Sequence, residues 1–175
     1  MLKTLGTIAN IGIVTEPPPP GDESLRLRNV LQQQVRDVLG RALCIRHVDG
    51  GSCNGCELEI HALNNPIYNI EGLGIRFVAS PRHADLLLVT GPISRHMETA
   101  LRRTYDATPD PKIVVAVGDC GCTGGVFGEN YASLGRVANV LPVNVQVPGC
   151  PPSPERLMQA ILTAIAAVPL RQLSD

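Results

Sequence analysis

Cysteine is the residue type whose placement in this chain most directly indicates chemistry. The 175-residue sequence contains six cysteines. Cys53 and Cys56 form a C-x2-C pair, Cys120 and Cys122 form a C-x-C pair, and Cys150 stands directly before a proline. Cysteine thiolates ligate iron–sulfur clusters and zinc, and paired thiols exchange with disulfides. The spacing therefore opens three possibilities, which depend on where the chain places these residues.

Short apolar runs that alternate with helix-period segments predict the elements that position the cysteines. The predicted strands share a buried, mostly β-branched or leucine-rich composition, and they cover residues 42–48, 75–78, 84–90, 112–118 and 143–147. Helical spacing predicts helices over about 22–40, 57–63 and 93–105, and a last one with Ser153 at the N-cap and Pro154 at the first helical position. This alternation predicts an α/β fold, a flavodoxin-like three-layer sandwich with a parallel sheet.

Five of the six cysteines follow the carboxyl end of a predicted strand. Cys53 and Cys56 follow the first strand, Cys120 and Cys122 follow the run KIVVAVG, and Cys150 follows VNVQV. In doubly wound sheets these ends open onto one common edge, where ligands bind. We therefore expect these thiols to converge. Cys44 lies inside the first strand and is predicted to be a small buried hydrophobe.

Three kinds of site fit such a convergence. A 4Fe–4S cluster needs four thiolates, and the glycines beside the cysteines allow the backbone to approach a bulky inorganic core. A structural zinc ion usually takes two compact C-x2-C pairs, whereas the later cysteines here lie far along the chain from the first pair. A thioredoxin-like redox pair fits C-N-G-C between a strand and a helix, but it leaves Cys120, Cys122 and Cys150 without a role. The clustering of glycines around the cysteines favours the iron–sulfur cluster.

Four segments in order resemble a known family. They are HVDGGSCNGCELEI at 47–60, SPRHADLLLVTGPIS at 80–94, VGDCGCTGGVFGENYA at 117–132 and VPGCPPSPERLMQAI at 147–161. They are similar to the electron-transfer small subunit shared by nickel–iron hydrogenases and the 20 kDa subunit of complex I. The resemblance implies a flavodoxin-like fold with one 4Fe–4S cluster at the interface with a large subunit. It assigns the ligand role to four residues: Cys53, Cys56, Cys120 and Cys150.

The first cysteine pair bears on the branch of the family. Complex I subunits carry two adjacent cysteines at this motif, whereas hydrogenase small subunits carry C-x2-C, as this chain does. The chain most resembles the small subunits of energy-converting, membrane-bound hydrogenases of the formate hydrogenlyase and hydrogenase-4 type. The resemblance implies a non-catalytic subunit of an oxidoreductase complex that relays electrons between ferredoxin-like iron–sulfur subunits and a nickel–iron large subunit. A quinone-reducing complex I-type relay, similar to the B subunit of NADH–quinone oxidoreductase, and a zinc-stabilised interaction subunit are the alternatives.

Several residues near the cysteines could influence such a cluster. Glu59 follows Cys56 by one helical turn, so its carboxylate is a candidate neighbour, and Glu57 is interpreted as solvated. Four thiolates leave a cluster with net negative charge, so a cation would help; Arg82 is favoured over Arg46. Cys122 is predicted to pack beside the site as a non-ligand. The four histidines lack paired ligand spacing and are interpreted as structural.

Composition and charge exclude several classes of protein. Fifteen basic against sixteen acidic residues give a net charge of −1, with no basic patch for nucleic acid.

Four prolines at 17–20 predict a boundary, with an N-terminal arm and Pro-rich linker over residues 1–21 and a single cluster-binding α/β domain over 22–175. No export signal or run of about 20 apolar residues is recognised, so we expect a cytoplasmic chain, peripheral on the inner face of the cell membrane through its complex.

Overall fold

The computed structural model describes residues 22–166 of the chain. The predicted N-terminal arm lies outside the described residues. The α-helices of the described part are α1 (Asp22–Leu39), α2 (Gly55–Ala62), α3 (Arg95–Ala107), α4 (Gly118–Thr123) and α5 (Pro154–Ala166). Short 3₁₀ turns lie at Ile70–Leu73, Pro81–His83 and Val137–Asn139. The strands are β1 (Leu43–Asp49), β2 (Ile75–Phe77), β3 (Leu86–Thr90), β4 (Ile113–Val117) and β5 (Val145–Val147).

The five strands form one parallel sheet in the order β2-β1-β3-β4-β5. This is the flavodoxin-like order of a doubly wound fold, so the predicted fold class is confirmed. The register aligns the strand ends: Asp49 of β1 pairs with Thr90 of β3, and Thr90 pairs with Val117 of β4. We call the side of the sheet where the strands end the carboxyl edge and the opposite side the amino edge.

Alternating residues of the central strands supply two separate cores. On β3, Leu86 and Leu88 belong to the core that contains residues of α1, α2 and α5, whereas Leu87 and Val89 belong to the core against α3. Both faces of β3 and β4 are fully buried, which explains why their sequences are continuously apolar. The sheet is therefore the middle of three layers, and it fixes the positions of the loops at its carboxyl edge.

The predicted strands and the longer helices are present with boundaries shifted by about one to three residues. Ser94 caps α3 by accepting a hydrogen bond from the backbone N–H of Met97. The sequence pattern does not predict α4, a short helix that begins directly after β4 and carries Cys120 and Cys122. Its glycines and cysteines have no helical apolar period, so only the tertiary setting identifies it. Within residues 22–166, no helix is long and apolar enough to cross a membrane.

Candidate metal centre

The carboxyl edge brings together cysteines from three strand ends. Cys53 lies in the loop after β1, and Cys56 lies in the first turn of α2. Cys120 lies in α4, directly after β4, and Cys150 follows β5. Cys53 and Cys150 are exposed, whereas Cys56 and Cys120 are half-buried. The sheet topology alone therefore assembles residues that are far apart in sequence.

The raised pKa values of two of these thiols show that the four cysteines lie near one another. Burial and the nearby Glu57 carboxylate raise the pKa of the Cys56 thiol to about 12. Part of that increase comes from three other thiols, those of Cys120, Cys53 and Cys150. Burial also raises the pKa of Cys120, with added contributions from Cys150 and Cys53. Four thiolates would repel one another here, so holding them ionised requires a positively charged group among them.

Two glycines leave the space that the inner thiols occupy. Gly118 has a φ of +81°, and a Cβ there would lie 2.6 Å from Sγ of Cys56. Gly125 has a φ of +57°, and a Cβ there would lie 2.7 Å from Sγ of Cys120. Both distances are shorter than real Cβ contacts, and both φ values favour glycine. Backbone without side chains thus borders the sulfurs, as the approach of a bulky inorganic core requires.

Two aspartates hold the cysteine loops in place. Oδ1 of Asp49 accepts hydrogen bonds of 2.7 Å from the backbone N–H groups of Gly51 and Ser52, which shapes the loop before Cys53. Burial opposes ionisation of Asp49, but these hydrogen bonds outweigh it and lower its pKa. Asp119 joins the loops of β4 and β5, because its Oδ1 accepts from Gly149 N–H at 2.8 Å and its own N–H donates to the Gly149 carbonyl at 2.9 Å. The sequence reasoning misses this role of Asp119, for which the only signal is an acidic residue in a βα turn.

Cys122 and Cys44 are engaged away from the four-thiol group. The thiol of Cys122 is buried and donates to the carbonyl of Ala116 at 3.6 Å, inside the sheet. It is not among the main causes of the raised pKa of Cys56 or Cys120. Cys44 is buried in β1 and accepts a hydrogen bond from Nε of Arg76 at 3.4 Å. The geometry thus separates four cysteines from the remaining two.

The acidic residue beside the site differs from the predicted one. The sequence predicts a solvated Glu57, and that prediction is wrong, because the exposed fraction of Glu57 is only 7%. Its carboxylate is the acidic group that raises the pKa of Cys56. Glu59 is half-buried, and its charge acts on the hydroxyl of Tyr68. A place for Glu59 near the cysteines stays a prediction.

Arg82 lies at the amino edge, so the structure contradicts its predicted place beside the cysteines. It belongs to the 3₁₀ turn before β3 and lines a cavity with Arg41, Arg76 and Asp85. A five-residue strand spans about 16 Å, which separates this cavity from the carboxyl edge. Arg46, the central residue of β1, lies closer to the site. Arg82 therefore lies at the far end of β3 from the thiols.

The donor set fits an iron–sulfur cluster in its chemistry. Four thiols supply the ligands that a cubane requires, and the backbone at Gly118 and Gly125 has no side chains beside the sulfurs. The positive charge of the iron–sulfur core would offset part of the charge of the four thiolates. Across the described part of the chain, no group of three or more His, Cys, Asp or Glu side chains is arranged to hold a metal ion. The residues that would hold a cluster are Cys53, Cys56, Cys120 and Cys150.

Comparison with known families identifies the class of protein that this fold and site define. The model of the family described as NADH ubiquinone oxidoreductase, 20 Kd subunit, matches residues 53–164, which include all four cysteines. The chain belongs to this family. The resemblance recognised in the sequence is thereby confirmed.

Relatives within the family include subunits of hydrogenase, formate hydrogenlyase and NADH-quinone oxidoreductase complexes. The chain is 44% identical to the probable membrane-bound hydrogenase subunit mbhJ of Pyrococcus furiosus, over 75% of this chain and 79% of that protein. It is 42% identical to formate hydrogenlyase subunit 7 of Escherichia coli, over 71% of this chain but only 49% of that longer relative. It is 44% identical to the B subunit of NADH-quinone oxidoreductase of Desulfovibrio desulfuricans, over 61% of this chain and 58% of that protein.

A solved structure shares the fold. The match is to a chain in the membrane-bound sulfane sulfur reductase, an archaeal respiratory membrane complex, with a TM-score of 0.64 and 32% identity. It covers 78% of this chain and 74% of the other. Relatives of this chain are therefore subunits of hydrogenase, NADH–quinone oxidoreductase and sulfane sulfur reductase complexes.

Proposed function

We propose that this chain is the electron-transfer subunit of a membrane-bound hydrogenase complex, with one 4Fe–4S cluster on Cys53, Cys56, Cys120 and Cys150. In this role it relays electrons between a ferredoxin-like iron–sulfur subunit and a nickel–iron large subunit, and it has no hydrogenase activity alone. The observation that carries the proposal is the group of four thiols at the carboxyl edge, with Gly118 and Gly125 beside the sulfurs.

The protein contributes ligation and electrostatics to this function. A bound cluster would supply one-electron chemistry. The sheet holds the thiols on three strand ends, so their positions depend on a rigid core instead of a mobile loop. Asp119 ties the loop of Cys120 to the loop of Cys150, and Asp49 shapes the loop of Cys53. These contacts would keep the four cysteine thiolates within reach of one cluster.

Exposed apolar side chains near the cysteines support a partner subunit on this edge. Val126, Phe127 and Tyr131 are 96%, 59% and 93% exposed, and all three follow Gly125 in the loop after α4. Exposed apolar residues in close succession are typical of protein interfaces. A partner that covers them would also shield the exposed thiols of Cys53 and Cys150. We assign this surface to the large subunit.

The hydrogenase assignment rests on the C-x2-C spacing of the first cysteine pair and on the two hydrogenase relatives. A complex I-type relay to a quinone site is the second candidate, supported by similarity to the B subunit of NADH–quinone oxidoreductase. In either complex, the chain would sit peripherally on the cytoplasmic face of the membrane, held there by other subunits.

The first experiment tests the cofactor. Protein purified anaerobically should be brown, absorb broadly near about 400 nm and contain about four iron and four sulfide per chain. Reduction should give the paramagnetic resonance signal of a single cluster. A colourless protein with one tightly bound zinc per chain would overturn the proposal in favour of the zinc-stabilised interaction subunit.

The second experiment tests the partner. Co-expression with the large subunit encoded beside it should yield a complex that contains nickel, whereas a complex with no nickel would favour the quinone relay. Phe127→Glu and Tyr131→Glu should weaken that association, because each places a charge in the apolar surface. Val30→Glu is the matched control, since Val30 is an exposed valine on α1. Equal binding by all three variants would contradict the assigned surface.

A further inference from the structure

Among the residues that the structure describes, arginines outnumber aspartates around the cavity at the amino edge. This cavity has a volume of about 420 Å³ and lies beside β2, where β3 and β4 begin. The charged residues and the histidine of its lining are Arg41, Arg76, Arg82, His83, Asp85 and Asp110. Three guanidinium groups thus face two carboxylates, at the opposite end of the sheet from the four cysteines. The proposed cluster gives this cavity no role.

Both aspartates of the cavity are already paired. Asp85 accepts two hydrogen bonds from the guanidinium of Arg41 and a third from the backbone N–H of Cys44. Asp110 lies 3.6 Å from Nζ of Lys112, and its side chain is 82% exposed, so it faces solvent. Neither carboxylate is therefore paired with a second arginine of the cavity.

Arg76 and Arg82 carry the positive charge that is left over. Nε of Arg76 donates to Sγ of Cys44 at 3.4 Å, and its two terminal NH2 groups have no acceptor within the described residues. Arg82 follows Pro81 in the 3₁₀ turn before β3, and its guanidinium forms no hydrogen bond or ion pair with the part of the chain that the structure describes. Both arginines are exposed, whereas Cys44 and Ala84, which also line the cavity, are buried. The cavity therefore combines buried uncharged residues with unneutralised guanidinium groups.

The chemistry of the lining favours a phosphate group as the ligand. A carboxylate has two oxygens, which a single guanidinium fork occupies, whereas a phosphate group has enough oxygens for a fork on each side. The exposed imidazole of His83 adds a further hydrogen-bonding group. Since a water molecule takes about 30 Å³, a cavity of about 420 Å³ has room for a phosphate group and for part of the molecule that carries it.

We propose that this cavity is a binding site for a phosphate group, held by the terminal NH2 groups of Arg76 and by the guanidinium of Arg82. The hydrogen bond to Cys44 restricts Arg76, and Pro81 restricts the backbone before Arg82, so less freedom is lost when the ligand binds. Inorganic phosphate, small phosphate esters and the headgroups of anionic lipids all present this chemistry. The site does not involve the cysteines, so its failure is distinct from failure of the proposed function.

Titration calorimetry of the full chain with inorganic phosphate, against potassium chloride at equal ionic strength, tests the site. Arg76→Gln and Arg82→Gln should each weaken phosphate binding about ten-fold or more, because each removes charge-assisted hydrogen bonds. Arg82→Lys should recover only part of the affinity, since lysine keeps the charge but loses the planar fork. Arg156→Gln is the matched control, because Arg156 is an exposed arginine of α5 outside this cavity, and it should bind as the wild type does. The iron content should be equal in all variants.

Vesicles distinguish the two sources of the phosphate group. Flotation with phosphatidylglycerol vesicles, but not with phosphatidylcholine vesicles, that Arg76→Gln and Arg82→Gln abolish would assign the site to a lipid headgroup. Binding of inorganic phosphate without flotation would assign it to a free phosphate or phosphate ester. Retention of phosphate and vesicle binding by both Gln variants, or no binding of either probe by the wild type, would overturn the site. Weaker assembly of the variants with the large subunit, with neither probe bound, would assign the two arginines to an acidic segment of a partner instead.

Discussion

The carboxyl and amino edges of the sheet are built by the same strands but serve different purposes. At the carboxyl edge, neighbouring thiols disfavour ionisation of Cys56 and Cys120, two glycines adopt left-handed backbone and three large apolar side chains are exposed. At the amino edge, Arg41 and Asp85 form a two-bond ion pair at 3.0 and 2.5 Å, and Asp85 also accepts from the backbone N–H of Cys44 at 2.9 Å. The ion pair satisfies Asp85 at the amino edge with protein groups, whereas we propose a bound cluster for the thiols at the carboxyl edge.

The contrast shows where a parallel sheet can tolerate unfavourable local chemistry. The central strands are buried on both faces and supply the cohesion. Their carboxyl ends can then hold groups that are unstable without a partner, such as the crowded thiols and the buried Glu57. Substitutions should consequently affect cofactor content at the carboxyl edge and folding stability at the amino edge.

The largest expected effect separates two neighbouring cysteines. Cys120→Ser should remove the cluster or convert it to a three-iron form, because Cys120 belongs to the four-thiol group. Cys122→Ser should keep the iron content and shift the potential only modestly, since its thiol bonds the Ala116 carbonyl. Iron analysis and paramagnetic resonance measure both. Cluster loss in Cys122→Ser with retention in Cys120→Ser would reverse the assignment.

Gly118→Ala should disturb the carboxyl edge without replacing a ligand. The new Cβ would lie 2.6 Å from Sγ of Cys56 at a φ of +81°, so steric overlap adds to backbone strain. We expect a loss of about 2–4 kcal/mol in the free energy of unfolding and a lower iron content.

Gly40→Ala is the control for this substitution. Gly40 has a φ of +60° but nothing within 4 Å of its added Cβ, so only the backbone cost of about 1–2 kcal/mol applies, with full iron content. Urea unfolding of the loaded proteins and iron analysis compare the two. Identical losses of stability and iron in both variants would show that the space beside Cys56 is unimportant.

Asp85→Ala should destabilise the amino edge and leave the cofactor alone. The carboxylate is largely buried and accepts from Arg41 and from the backbone of Cys44, so its removal should cost about 1–3 kcal/mol. Arg41→Ala should cost less, about 1 kcal/mol or below, because the arginine is half exposed. Both variants should bind the normal amount of iron. Loss of iron in a stably folded Asp85 variant would break the separation of the two edges.

The smallest expected effect is a pH dependence near the carboxyl edge. The Tyr68 hydroxyl donates to Oε1 of Glu155 at 2.6 Å, which lowers the pKa of Glu155 from 4.5 and raises that of Tyr68 to about 12. The stabilisation should be fully present between the two ordinary pKa values. It should be lost as pH falls through the folded pKa of Glu155, and lost as pH rises from 10 towards that of Tyr68.

Tyr68→Phe measures this contribution. The variant should be less stable by about 1 kcal/mol or less near neutral pH, and the difference from the wild type should shrink at both extremes. Urea midpoints across the pH range provide the test. A difference that stays constant down to strongly acidic pH would contradict the hydrogen bond to an ionised Glu155.

The sequence by itself determined the sheet and the gathering of the cysteines. Continuous apolar runs at β3 and β4 are sufficient to predict buried parallel strands, and the common edge of such a sheet follows from topology. The spacing of Cys120 and Cys122 in one short turn predicts that at most one of them faces a bound group, and the family resemblance selects Cys120. In the structure the thiol of Cys122 donates to the Ala116 carbonyl.

Only the tertiary structure decided which charges surround the cysteines. Glu57 is buried, with its Oε1 3.7 Å from Nε2 of His47 in β1, a setting that no local pattern in α2 encodes. Arg82 lies in a conspicuous motif, yet the direction of β3 carries it to the opposite edge. Periodicity reports which face of an element is apolar, but the surroundings of a polar side chain depend on where the neighbouring elements end.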